Sequence, residues 1–395
     1  MNLRVLINAG PWLPVPPGGY GGIENVVATL IPELRSRGVY VALATVGTSE
    51  IEVDEKLAVF DEPQFRELQR PYNRVMGVAS AHLHLVASEL RRRTDIDLVH
   101  DHLEAFGPTV LAALGADAPP VLHTLHWDLA KHPQLYGGFE GRGRLFVNGV
   151  SESQLARAPH ALRAHSLGHV HLATPLATGA DERPQPAKSD HFVVLGRITP
   201  GKGQHVAARL AHESGVPVIL AGPVGPHSTP DALDRALADD PDTAQNPDVR
   251  FWLEEVAKHV DGDLVRWIGS VAPPQRDELV ATARATLFPL YWEEPGGTAV
   301  VESLALGTPV VGYRRGCLPE LVEHGRTGLL AEAGDEDGLV ALLDAVDSID
   351  PAQCRLSAAR RFAPPVMAEH YLRLYREVLA NTGMRAWRSE PVPAG

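Results

Sequence analysis

Residues 292–311 read WEEPGGTAVVESLALGTPVV. ATLFPLYW at 285–292 is an apolar run ending in a loop, TAVVESLAL is a short helix from about Thr298, and TPVV at 308–311 is β-branched again. Strand, loop, helix, strand is the unit from which parallel sheets are built. The loop carries a contradiction. Gly296, Gly297 and Thr298 offer unpaired amides at a helix start, which favours an anion. Yet Glu294 lies just before them and Glu302 about one turn into the helix. Two glutamates near a helix N-terminus can be there for the dipole alone. A ligand with both phosphates and hydroxyls also resolves the conflict: amides and cations take the phosphates, carboxylates the hydroxyls. A nucleotide sugar fits.

The same unit recurs outward from this stretch. Apolar runs at 3–9, 40–46, 96–100, 119–124 and 145–150, then at 191–197, 216–221, 264–268, 285–289 and 308–312, alternate with helix-length segments. That alternation implies an α/β chain of parallel sheets. The pattern restarts after ADERPQPAKSD at 180–190, which marks a boundary between a domain at 1–185 and one at 186–365. Ile23, Val26, Val27, Leu30, Ile31 and Leu34 share one helical face that stops at Gly38, with Pro32 expected to kink the helix. Met367, Tyr371, Leu374, Tyr375 and Val378 form another such stripe within 366–395. Residues 223–249 look like a surface excursion, and 381–395 like a frayed tail.

The totals agree. At 395 residues two cores of ordinary size are expected. Two cysteines without CxxC spacing suit a reduced, cytoplasmic compartment, and MNLRVLINAG is too short to span a bilayer. A net charge of −13 argues against a nucleic-acid surface. Five lysines stand against 31 arginines, which suggests a GC-rich genome and makes Lys202 conspicuous. Three arginines in ELRRRTD at 89–95 answer a helix dipole more simply than a membrane.

Three further stretches carry candidates. PPGGYGGIE at 16–24 sits where a dinucleotide fingerprint would, but Glu24 stands in place of the third glycine, and the second strand ends without an acid for the ribose. A nicotinamide enzyme is thereby disfavoured. Gly21 and Gly22 still free amides for an anion, or simply make a tight turn. GRITPGKG at 196–203 places Arg197 and Lys202 on a strand-to-helix loop, with Lys202 entering the helix; both cations suit a diphosphate. HTLHWD leaves His126, Trp127 and Asp128 past a strand end, where parallel sheets bind ligands. His100 and His102 in DLVHDH are similarly placed, and no histidine pair has chelating spacing.

With these stretches in order, the chain resembles glycosyltransferase family 4. The likeness rests on GGIE at 21–24, DLVHDH at 97–102, TLH at 124–126, GRITPGKG, RWIGSV at 266–271, EEPGGTAVVESLALGTPVV at 293–311 and RRGCLPELVEHGRTGLL at 314–330. Its specific part is the E-x7-E spacing of Glu294 and Glu302. The resemblance implies the GT-B fold, two Rossmann-like parallel-sheet domains facing each other across a cleft. It implies an acceptor-binding domain at 1–185, a donor domain at 186–365, and a last helix that crosses back within 366–395. It implies a retaining, metal-independent transfer of a hexose-type sugar from a nucleoside-diphosphate sugar to a hydroxyl of a sugar, lipid-linked or small-molecule acceptor, with no cofactor.

The implied roles follow position by position. Arg197 and Lys202 would hold the diphosphate as leaving group, with Gly21 and Gly22 approaching it as well. Glu294 would bind sugar hydroxyls, with a nucleophilic role as its alternative, and Glu302 the ribose. Gly296, Gly297, Thr298 and Ala299 would touch sugar and phosphate, Ser270 and Val271 the base. His126 would sit at the reacting face. Tyr20, His102, Trp127 and Asp128 are candidates for the acceptor. Departures from the family pattern, Gly296 and Thr298 for the usual Phe and Leu and RGVYV for RGHEV, bear on the donor sugar. An epimerase or hydrolase of the same fold, or a non-catalytic nucleotide-sugar-binding protein, would keep the same pocket.

Overall fold

The computed structural model describes residues 3–19 and 21–383. Tyr20 and most of the tail expected at 381–395 lie outside them. The chain forms two compact units, Met1–Ala173 with Pro364–Gly395, and Thr174–Ala363. The stretch 180–190 thus falls inside the second unit.

The first unit is built on seven strands: β1 (Arg4–Asn8), β2 (Tyr40–Ala44), β3 (Glu55–Leu57), β4 (Leu98–Asp101), β5 (Val121–Leu125), β6 (Leu145–Gly149) and β7 (Ser166–His169). They pair in parallel in the order β3-β2-β1-β4-β5-β6-β7. The second unit has six: β8 (Phe192–Leu195), β9 (Val218–Ala221), β10 (Val265–Gly269), β11 (Ala285–Phe288), β12 (Val310–Tyr313) and β13 (Gly328–Ala331). Their order, β10-β9-β8-β11-β12-β13, is parallel throughout and repeats the same winding. Each sheet reverses its winding once, between β1 and β4 and between β8 and β11. Ligands of such sheets bind outside the strands' carboxyl ends at that reversal.

Strands β4 and β5 are buried at every position, as expected for parallel strands covered on both faces, and LVHD and VLHTL bury polar residues along with the apolar ones. The first helix, Gly22–Ser36, contains Pro32 on its exposed side and buries Val26, Val27, Leu30, Ile31 and Leu34. The last helix, Pro364–Asn381, lays its stripe onto the same core: Met367, Tyr371, Leu374, Tyr375 and Val378 are buried among the first helix, β1 and β2. Burying each such side chain contributes roughly 1.5–3 kcal/mol.

The surface excursion expected at 223–249 is instead largely helical. Helix Pro230–Asp239, a 3-10 turn at Pro241–Gln245 and helix Pro247–Phe251 fill it. Each opens with Pro at its first position behind a capping side chain, Thr229, Asp240 or Asn246, that accepts from a first-turn amide. The prolines that suggested a loop are helix starts. No helix among the described residues is long and apolar enough to cross a membrane.

Candidate functional site

In the second unit the winding reversal is bridged by a charged pair. The loop after β8 turns through Pro200–Lys202, and Gly203, in the left-handed region at φ 75°, leads into helix Gln204–Ser214. Lys202 therefore sits before the helix, not in it as the sequence suggested. Only a glycine fits at 203, because a Cβ there would lie 1.9 Å from the carbonyl oxygen of Pro289. That close approach and a bond from Tyr291 N to Gly201 O (2.9 Å) pin the turn to the loop after β11. Lys202 Nζ thereby reaches Glu294 Oε2 at 2.5 Å and lies 4.8 Å from the Trp292 ring centroid.

Glu294 is fixed in turn by its neighbours. Its carbonyl accepts from Cys317 N (2.9 Å), and its Oε1 accepts from Gly297 N (3.4 Å). Gly297, at φ 61°, caps helix Thr298–Ala305, where a Cβ would strike Leu321 and Cys317 at 2.6 and 2.8 Å. The amides of Thr298 and Ala299 belong to the first turn and find no acceptor within the helix. Gly296 is buried in the same loop. Glu302, on that helix, faces Arg276 Nη1 at 3.5 Å; burial raises its pKa and Arg276 opposes the rise. Sequence reasoning missed Arg276, which comes from helix Pro273–Thr282 with no motif of its own. Arg197 is about half exposed, with Asp248 Oδ2 4.0 Å from its Nη1. Ser270 and Val271 follow β10, and Ser270 N donates to Ser228 O at 2.7 Å.

In the first unit the reversal is bridged by a buried, uncharged-to-charged network. Asn8 Nδ2 donates to Asp101 Oδ1 (2.7 Å), His123 Nδ1 meets Asp101 Oδ2 (2.6 Å), and His82 Nε2 meets Asn8 Oδ1 (2.6 Å). Burial pushes the pKa of His82 down to about 4. Beside it, His100 bonds Tyr375 Oη at 2.7 Å and Thr124 Oγ1 at 2.8 Å, so the last helix completes its environment. His102 Nδ1 and His126 Nε2 are 2.8 Å apart with their rings stacked. Burial first, and the charge His123 would carry second, push His126 down to about 3. Its imidazole is neutral at physiological pH.

The remaining candidates in this unit are dispersed. Gly21 caps the first helix and Gly22 begins it. Glu24, noted in the sequence only as a missing glycine, is 5% exposed, and burial raises its pKa to about 7. Asp128 accepts from Ala130 N (3.0 Å) and so caps the turn Leu129–Lys131. Trp127 is half-buried with Lys131 Nζ 3.8 Å over its ring. Tyr20 lies outside the described residues.

Two family models match this arrangement, unit by unit. The model described as Glycosyltransferase Family 4 matches residues 20–173, and the one described as Glycosyl transferases group 1 matches residues 180–361. The chain belongs to glycosyltransferase family 4. Among family relatives, a D-inositol 3-phosphate glycosyltransferase of Nocardioides sp. is 27% identical, over 92% of this chain and 87% of that protein. AviGT4, a glycosyltransferase involved in avilamycin A biosynthesis, is 26% identical with a TM-score of 0.62, over 96% of this chain and 98% of that one. Anabaena HepE, solved in complex with UDP-glucose, shares the fold at 18% identity and a TM-score of 0.62, over 96% of this chain and all (100%) of that one. The protein is a glycosyltransferase of the GT-B type.

Proposed function

We propose that this family 4 enzyme transfers a hexose-type sugar from a nucleoside-diphosphate sugar to a hydroxyl acceptor, retaining the anomeric configuration and needing no metal. The Lys202–Glu294 contact carries the reading. It sets a cation for the diphosphate within bonding distance of a carboxylate for sugar hydroxyls, at the winding reversal of the second sheet. HepE binds UDP-glucose on the same fold, which supports a donor of this class. The relatives named above are transferases, which favours transfer over the epimerase, hydrolase and binding-protein alternatives.

Lys202, Arg197 and the amides of Thr298 and Ala299 would hold the diphosphate. Glu294 would accept from hydroxyls of the sugar, and Glu302, oriented by Arg276, from those of the ribose; Ser270 and Val271 would meet the base. As the glycosidic bond breaks, charge grows on the departing phosphate, and each preorganised donor stabilises it by about 3–4 kcal/mol. The acceptor hydroxyl would give its proton to a phosphate oxygen. We assign the acceptor to the first unit, and His126 acts there as a neutral imidazole.

A thermal-shift panel of UDP, GDP, ADP and TDP with their sugar conjugates tests this without added metal. One nucleotide at 100 times its Kd should stabilise the protein by about 2.7 kcal/mol, a rise of roughly 5–10 °C for a unit of this size. Its sugar conjugate should add to the shift, and EDTA should change nothing. No shift with any nucleotide, or a strict need for divalent metal, would overturn the reading.

A further inference from the structure

Three side-chain atoms on the loops after β4 and β5 are buried and have no hydrogen-bond partner among the described residues: His102 Nε2, Glu104 Oε1 and Trp127 Nε1. The loops are neighbours, since β4 and β5 pair through Asp101 and His123, and the 2.8 Å contact of His102 with His126 ties them together. His102 is 1% exposed, and Glu104 keeps a fifth of its side chain in solvent, with His132 Nε2 3.4 Å from Oε1. Lys131 Nζ lies 3.8 Å over the Trp127 ring while its neighbour His132 reaches Glu104, so the two loops meet a second time beside these atoms. Buried polar atoms without partners are costly. Three of them lie together on loops at the carboxyl end of one sheet, where parallel sheets bind their ligands, and a ligand could pair them.

We propose that His102 Nε2, Glu104 Oε1 and Trp127 Nε1 form the subsite for ring hydroxyls of the acceptor, and that it selects an uncharged polyhydroxylated ring over a phosphorylated one. The proposal rests on the transferase reading above. Its argument is the hydrogen-bond sense of the three atoms. The indole N–H can only donate, an ionised carboxylate can only accept, and the imidazole nitrogen does either. Hydroxyls both donate and accept, so a polyol satisfies all three. A phosphate only accepts: beside Glu104 it would offer that carboxylate no proton and would set two negative charges together. Lys131 does not reverse the balance, because it is exposed and already held over the indole. The Nocardioides relative is named for a phosphorylated inositol.

Saturation-transfer NMR on the full-length protein at pH 8 tests this with matched pairs. The probes are glucose and glucose 6-phosphate, mannose and mannose 6-phosphate, and myo-inositol and its 3-phosphate, each with UDP, GDP and ADP present as donor-site reporters. In at least one pair the neutral member should saturate about fivefold or more above its phosphate. Glu104→Gln should bring that ratio towards one, and Trp127→Phe should weaken both members. Lowering the pH to 6 should also narrow the ratio, because burial raises the Glu104 pKa to about 7 and protonation removes its charge. Phosphates binding better, no member binding, or a ratio untouched by Glu104→Gln would each overturn the subsite. If nucleotide signals persist in those cases, only this inference fails; if they are absent as well, the donor reading fails with it.

Discussion

The two sheets are wound in the same order, and each is bridged at its reversal by a hydrogen bond between side chains. In the first unit that bond is Asn8 to Asp101, fully buried and extended through His82 and His123. In the second it is Lys202 to Glu294, partly exposed on loops pinned by glycines. One reversal has been sealed inside its unit. The other keeps opposite charges loosely enough solvated to be exchanged for a ligand's. The contrast teaches that shared topology supplies only the place for a site, while the residues at the strand ends decide whether it handles charge or shape.

The largest effects should come from breaking the charged reversal. Lys202→Ala and Arg197→Ala should each lower kcat about 100- to 1000-fold, from the loss of one leaving-group donor. Steady-state turnover near the wild-type rate in either variant would erase the distinction between the two reversals.

The next effect belongs to the first unit and is one of stability. Glu24 has an unfolded pKa near 4.5 and a folded one of about 7. Its contribution is therefore present below pH 4.5 and lost as the pH rises to 7, because the unfolded chain releases the proton first. Glu24→Gln should stabilise the protein by up to about 3 kcal/mol at pH 8 and hardly at all at pH 4. Denaturant midpoints at the two pH values measure this. His82 works in the opposite sense. Its folded pKa of about 4 costs stability as the pH falls below 6.5, so that acid loss should survive in the Glu24 variant.

The smallest effect sharpens the contrast. Arg276 and Glu302 meet at 3.5 Å with both side chains partly exposed. Arg276→Ala should cost less than about 1 kcal/mol of stability, while raising the donor KM several-fold as Glu302 loses its orientation. A change in kcat alone, with KM unmoved, would contradict the positioning role.

How far the sequence reaches depends on what each element offers to be read. Strands such as YVALA, FVVL and VILA were legible because burial on both faces writes them as apolar runs. Strands β3, β7 and β13 were not. Each lies at a sheet edge, and EKL and SLGH carry no apolar periodicity at all. The helices of 230–251 could have been found, since Thr229-Pro230, Asp240-Pro241 and Asn246-Pro247 are cap signals, but proline was weighed as a breaker. Of the site, Lys202 and Glu294 stood out singly, while their contact across 92 positions depends on how β8 and β11 pair. Arg276, Glu104 and the Asn8–Asp101–His123 cluster gave no local signal, because each is assembled from separate strands and loops.

The last helix has a consequence for how the protein is made. The ribosome delivers the first 173 residues with the faces of β1, β2 and the first helix bare, and then the whole second unit, which is continuous in sequence. Only when Pro364–Asn381 emerges do Tyr371 and Tyr375 close that core and reach Thr124 and His100. The unit translated first is thus finished last, and an unfinished chain must carry an open apolar face through the synthesis of nearly two hundred residues. A chaperone binding nascent chains would find its longest opportunity there.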